Sequence, residues 1–146
     1  MIPLFILIAF IVLFRCFGFL GVEVFSTFRE STRFALFVMF LFTASSHFTK
    51  TKEDFVKMVP SVFPFPRQII FITGIFEILG AIGIIIIGLR SIAGVCLIIL
   101  LVAMFPANYN AAKNKIMFRE KLPTPLWLRL PIQIIFIALL WWTTQY

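Results

Sequence analysis

A single carboxylic acid, Glu77, stands near the middle of an otherwise apolar run, QIIFITGIFEILGAIGIIIIGL over residues 68–89. At about 1.5 Å per residue this run is roughly 30 Å long, the thickness of a bilayer's hydrocarbon core, and Glu77 lies roughly 13 Å from its start. A charge at that depth is costly. Three roles fit such an acid: a neutral hydrogen-bond donor, a carboxylate held by a nearby arginine, or a group that gains and loses a proton in a transport or redox cycle. Near the ends of three other apolar runs stand His47, Asn108, Asn110 and Arg129, with Gln133 one turn deeper than Arg129. Arg129 and Gln133 are four apart and share a helix face, with Pro131 between them. Together these groups suit a ligand with a polar head and an apolar body, such as a quinone, a sterol-like molecule or a lipid. The alternative is that they pair with one another and hold helices together. The ligand reading is preferred here because ionisable residues inside membranes are functional by default.

Other chemistries find less support. No HxxxH, HxxE or CxxC occurs, and helix depths place the only histidine, His47, about 10 Å from the level of Glu77, too far for one coordination sphere, so no metal site is expected. His47 is equally suited to capping a helix end beside Thr49 and Lys50. Arg15, inside the first apolar run, could form a buried ion pair with Glu77 or extend its head to the membrane surface. Cys16 and Cys96 sit at similar depth and could meet as a disulfide, although buried free thiols are the expected state. A membrane thiol oxidoreductase would need a CxxC, and no phosphate loop or GxSxG elbow is present, so no catalytic residue is assigned.

The elements that must position these residues are membrane helices. Of 146 residues, 62% are hydrophobic and 13% charged, more apolar side chain than one small water-soluble core would bury. Apolar runs cover residues 2–22, 34–48, 68–89, 92–107 and 126–144. The first has no basic segment before it, carries Arg15 within it and is followed by no small-residue cleavage site, so it reads as a membrane helix rather than a signal peptide. The second is short, and a helix starting near Phe28, with Arg29 and Arg33 reaching to the interface, would complete it. Between the second and third runs Pro60, Pro64 and Pro66 prevent a continuous helix, leaving room for a short turn over residues 53–59. Residues 88–91 join the third and fourth runs as an antiparallel hairpin. Pro106 should bend or end the fourth, and Trp127, Trp141 and Trp142 form an aromatic belt on the fifth.

Five crossings place the loops after the second and fourth runs on one side. Those loops hold Lys50, Lys52, Lys57, Arg67, Lys113, Lys115, Arg119 and Lys121, so the N-terminus is expected in the cytoplasm and the C-terminus outside. The formal charge of +7 is thus spent on orientation, and nucleic acid is not an expected partner. On the third helix, Thr73, Gly74, Gly80 and Ala81 share the face of Glu77, while Ile72, Ile75, Leu79, Ile82 and Ile86 lie opposite. The first face should meet neighbouring helices or a cavity and the second should meet lipid.

Five pieces in order carry a resemblance: SSHF at 45–48, FPFPR at 63–67, TGIFEILGAIG at 73–83, FPANYNAA at 105–112 and PLWLRLPIQ at 125–133. Over residues 34–142 the chain resembles the DoxX-like membrane proteins. The resemblance implies an all-α fold: a four-helix membrane bundle over residues 34–146, with residues 1–33 as an added N-terminal helix and connector. It implies roles for His47, Glu77, Arg90, Pro106, Asn108, Arg129 and Gln133, whereas Tyr109 and Asn110 depart from the family pattern. A bacterial cytoplasmic membrane and a redox or quinone-linked setting follow as expectations. A membrane or cytoplasmic redox partner and self-association are compatible with it, and no resident cofactor is required beyond a quinone-like or lipid-like ligand. A non-catalytic chaperone or assembly subunit is the second expectation, and a small transporter a weaker third.

Overall fold

The computed structural model describes residues 2–118 and 124–145. Arg119 and Lys121, used above for orientation, lie outside the described residues. Seven α-helices occur in this part of the chain: α1 (Ile2–Phe19), α2 (Phe28–Ser46), α3 (Lys52–Met58), α4 (Pro66–Ile85), α5 (Arg90–Ala103), α6 (Phe105–Lys113) and α7 (Leu126–Thr144). A single turn of 3₁₀ helix, Glu23–Phe25, separates α1 from α2. Thr27 starts α2 by accepting a hydrogen bond from the Glu30 backbone N–H, so Arg29 and Arg33 belong to the helix rather than to a connector.

Helices α2, α4, α5 and α7 close a ring in which each packs against the next, and α1 lies along α2 outside it. Small residues permit the closest crossings. A side chain at Gly83 of α4 would run into Ala93 of α5, and one at Gly94 of α5 would run into Thr144 of α7. Leu36, Met39, Ile84, Leu97 and Leu140 fill the centre. On α4 the buried residues include Gly74, Glu77, Gly80 and Ala81, while Ile72, Ile75, Leu79, Ile82 and Ile86 are exposed, as the sequence pattern requires. Four helices are long and apolar enough to cross a membrane: α1, α4, the α5–α6 unit and α7. In α2, which is similar in length, Arg29, Glu30 and Arg33 crowd the first turns.

The α2 N-terminus is where the polar sequence was misread. Arg33 does not extend away from the protein; it is 2% exposed. Its Nε and Nη2 donate to the Thr143 carbonyl of α7 at 2.9 and 2.7 Å, and its Nη1 meets Glu30 Oε2 at 2.6 Å. Glu30 also faces Arg90 of α5 at 3.8 Å, and Arg29 donates to the Trp142 carbonyl at 3.2 Å while lying over the Trp142 ring. Helix ends leave carbonyls unpaired, and a guanidinium in the last turn satisfies them and complements the helix dipole. Arg15 serves the same end of the bundle, donating to the carbonyls of Phe25 at 3.0 Å and Ser26 at 2.7 Å. The ion pair of Arg15 with Glu77 therefore does not form. Cys16 and Cys96 are free and exposed on the outer faces, neither joined nor buried.

Replacing Arg33 by Leu should destabilise the bundle by about 2–4 kcal/mol, because the Thr143 carbonyl and Glu30 lose a buried partner. Unfolding in detergent would read this, and a loss below about 0.5 kcal/mol would show that the contact carries no weight.

Candidate functional site

The sequence spaces one face of α2 so that Met39, Thr43, Ser46 and His47 follow at helical intervals and point the same way. On α4, Ile70, Gly74 and Glu77 do the same. The two faces meet tightly: a side chain at Gly74 would approach His47 Cβ to 2.7 Å. That contact sets His47 beside the second and third turns of α4. His47 Nδ1 lies 2.9 Å from the Ile70 carbonyl, and its Nε2 lies 3.4 Å from Glu77 Oε2. The separation of about 10 Å expected from helix depths is thus wrong. Counting placed His47 at a membrane surface, whereas α3 folds over it and buries it to 1% exposure, with Phe55 stacked on the imidazole at 4.7 Å.

Glu77 is buried on α4. Thr43 donates a short hydrogen bond to its Oε1, whereas Oε2 is buried and has no hydrogen-bond partner. The 3.4 Å approach of His47 Nε2 is a polar contact without hydrogen-bond geometry. Both groups open onto a cavity of about 250 Å³. Its walls are largely apolar, with Met39, Phe40 and Phe42 from α2, Phe55 and Met58 from α3, and Phe136 from α7. Polar groups reach it at a few points: Thr43, Ser46, His47, Glu77, Asn108 and Arg129.

The opposite wall depends on the break at Pro106. Having no N–H, Pro106 cannot bond back to the Val102 carbonyl, and α5 gives way to α6 at Met104. Asn108 then faces α7, where Arg129 Nη1 donates to its Oδ1 at 3.0 Å. Gln133 Nε2 donates to the Leu101 carbonyl at 2.7 Å, holding α7 against the turn before the break. A second cavity of about 260 Å³ is lined by Asn108, Arg129 and Gln133 and shares Phe118 and Phe136 with the first. Asn110 is elsewhere, donating to the Met58 carbonyl and fixing α3 at 3.0 Å.

Glu77, His47, Asn108 and Arg129 therefore line one cavity, and Gln133 lines its neighbour. Sequence reasoning missed Thr43, Phe55 and the first turn of α1, whose Ile2 and Pro3 form part of the rim. Thr43 was findable, lying four residues before His47 on the same face. Phe55 and Ile2 come from elements whose tertiary placement no spacing encodes. Among the described residues no group of three or more His, Cys, Asp or Glu side chains could hold a metal ion.

Fold and site together define an all-helical bundle with membrane-length apolar helices and a mostly apolar cavity that holds a few polar groups. The chain belongs to the family described as Domain of unknown function (DUF8561), which matches residues 36–144. Comparison with curated proteins and with solved structures found no match. The matched region starts inside α2 and ends with α7, covering the four-helix ring and leaving out α1.

Substituting Gly74 by Ala should displace His47 from Glu77 and cost about 1–3 kcal/mol, the usual penalty for overfilling a packed contact. Gly88, whose added side chain would meet nothing, is the control and should change stability by less than about 0.5 kcal/mol. Equal behaviour of the two variants in thermal unfolding would refute the tight α2–α4 contact.

Proposed function

We propose that this chain is an integral membrane protein whose cavity binds a small amphipathic molecule, quinone-like or lipid-like. The observation that carries this reading is Glu77 Oε2, a buried carboxyl oxygen without a hydrogen-bond partner at the wall of a mostly apolar cavity. Burying a polar atom unpaired costs free energy, and natural proteins retain such atoms where a ligand or water completes them. A polar head at Glu77 and His47, oriented from the far wall by Asn108 and Arg129, with an apolar body among the phenylalanines, uses the four ionisable or amide groups on the cavity.

Exposed apolar side chains support insertion in a bilayer. Phe5, Leu79 and Ile99 are each about three-fifths exposed on helix faces that have no partner in the chain. In this reading α2 is a fifth crossing, with its charged first turns satisfied by α5 and α7 at the outer surface. Lys50, Lys52, Lys57, Arg67, Lys113 and Lys115 mark the cytoplasmic side, putting the α1 start inside and the α7 end outside. A bacterial cytoplasmic membrane and a redox-linked setting rest on the DoxX-like resemblance, an argument by analogy.

A second reading, an assembly or chaperone subunit, is favoured by Gln133 and Arg129, which each bond another helix and so act as connectors. Glu77→Gln separates the two. Lipid and quinone extraction of the gently purified protein should find a specific small molecule on the wild type and none on the variant, at equal helicity by circular dichroism. If the variant unfolds and the wild type carries nothing specific, the polar residues are structural. Orientation is read separately: a reporter fused after α7 should be active only outside the cytoplasm, and cytoplasmic activity would reverse the topology.

A further inference from the structure

The hydrogen bonds around His47 decide where its protons are. The Ile70 carbonyl can only accept, so Nδ1, 2.9 Å away, must carry a hydrogen in either charge state of the ring. If the imidazole is neutral, Nε2 is then a bare lone pair facing Glu77 Oε2 at 3.4 Å. Two lone pairs facing each other in an apolar site repel, so the pair holds one proton between Nε2 and the carboxyl. With the proton on Nε2 or on Oε2, the pair offers the cavity one donor and one acceptor, in a contact that lacks hydrogen-bond geometry.

From this geometry we infer that the cavity selects a neutral ligand whose head is a hydroxyl group on an apolar, ring-sized body. The inference rests on the ligand-binding reading above and narrows it. A hydroxyl oxygen seated against both atoms accepts from whichever of the two carries the proton and donates to the other. Both arrangements of the shared proton are completed by the same head. An ether or carbonyl oxygen only accepts, leaving one atom of the pair unpaired, and a carboxylate adds a repulsive contact to the same unpaired acceptor. Phe40, Phe55 and Phe136 line the cavity, and its volume of about 250 Å³ is at the small end for ligand sites, which suits an aromatic or short aliphatic body. Phenols and alcohols are thus the expected class.

The sole histidine makes the test direct. Protein labelled with ¹⁵N-histidine is purified in micelles and titrated with 4-hexylphenol, 4-hexylanisole, 4-hexylbenzoate and hexylbenzene, which share a body and differ in the head. Before titration Nδ1 should be protonated. The phenol should then bind roughly tenfold or more tightly than the other three and shift the Nε2 resonance, since a site built for a hydroxyl discriminates strongly against its absence. Glu77→Leu, checked for unchanged helicity, should bind the phenol and the anisole within about threefold of each other. A protonated Nε2 with bare Nδ1, or anisole or benzoate binding as tightly as phenol, overturns the hydroxyl assignment while leaving ligand binding intact. Failure of all four probes to perturb His47 removes the ligand-binding reading itself.

Discussion

The contact on which the rest of this structure depends is that of His47 with the Ile70 carbonyl. It ties the C-terminal end of α2 to the second turn of α4. One turn away Thr43 of α2 donates to Glu77 of α4, so the two helices meet through polar groups at two successive levels. The absence of a side chain at Gly74 permits the approach, and Thr73, whose hydroxyl donates to the same carbonyl, sits beside it. The bond therefore does two things at once. It fixes the crossing of α2 and α4, and it fixes the imidazole tautomer next to the buried Glu77.

The ends of the bundle use polarity in opposite ways. At the end holding Arg33, Glu30, Arg90 and Thr143, Arg33 binds the Thr143 carbonyl and Glu30, and Glu30 faces Arg90, whose Nε is buried without a hydrogen-bond partner, so α2, α5 and α7 are cross-linked. At the other end the same kinds of residue surround open volume. Ser91 and Gln145 strengthen the closed end by exchanging hydrogen bonds of 2.6 and 3.0 Å. In the bilayer proposed above, hydrophobic burial would do little to hold helices together, leaving this network and the close small-residue crossings to carry the bundle.

Much of the fold was legible in the residues. Alternation of small and large side chains around Glu77 gave the buried face of α4, Pro106 gave the break between α5 and α6, and the run at 126–144 gave α7 at its full length. Grouping of Glu77, Asn108 and Arg129 followed from depth and facing. The His47–Glu77 distance did not, because depth counting assumes that a histidine at a helix end lies at the membrane surface, and α3 covering it is a tertiary fact. Arg33 escaped for the converse reason: an arginine near a helix start reads as an interfacial residue until a carbonyl on α7, more than a hundred positions away, is known to await it. The cysteines were misjudged because a thiol in an apolar run faces lipid as readily as it faces the core. Membership in a family of unknown function extends over the ring of helices without naming a ligand.

Cross-links at one end and open volume at the other divide the bundle into a closed end at Arg33 and a cavity end at His47. The rim is closed by short, separately tethered pieces: α3, held through the Met58 carbonyl by Asn110, and the first turn of α1, a helix that packs chiefly on α2. For the ligand proposed above, access would thereby be separated from stability, since the pieces over the rim are not those that cross-link α2, α5 and α7.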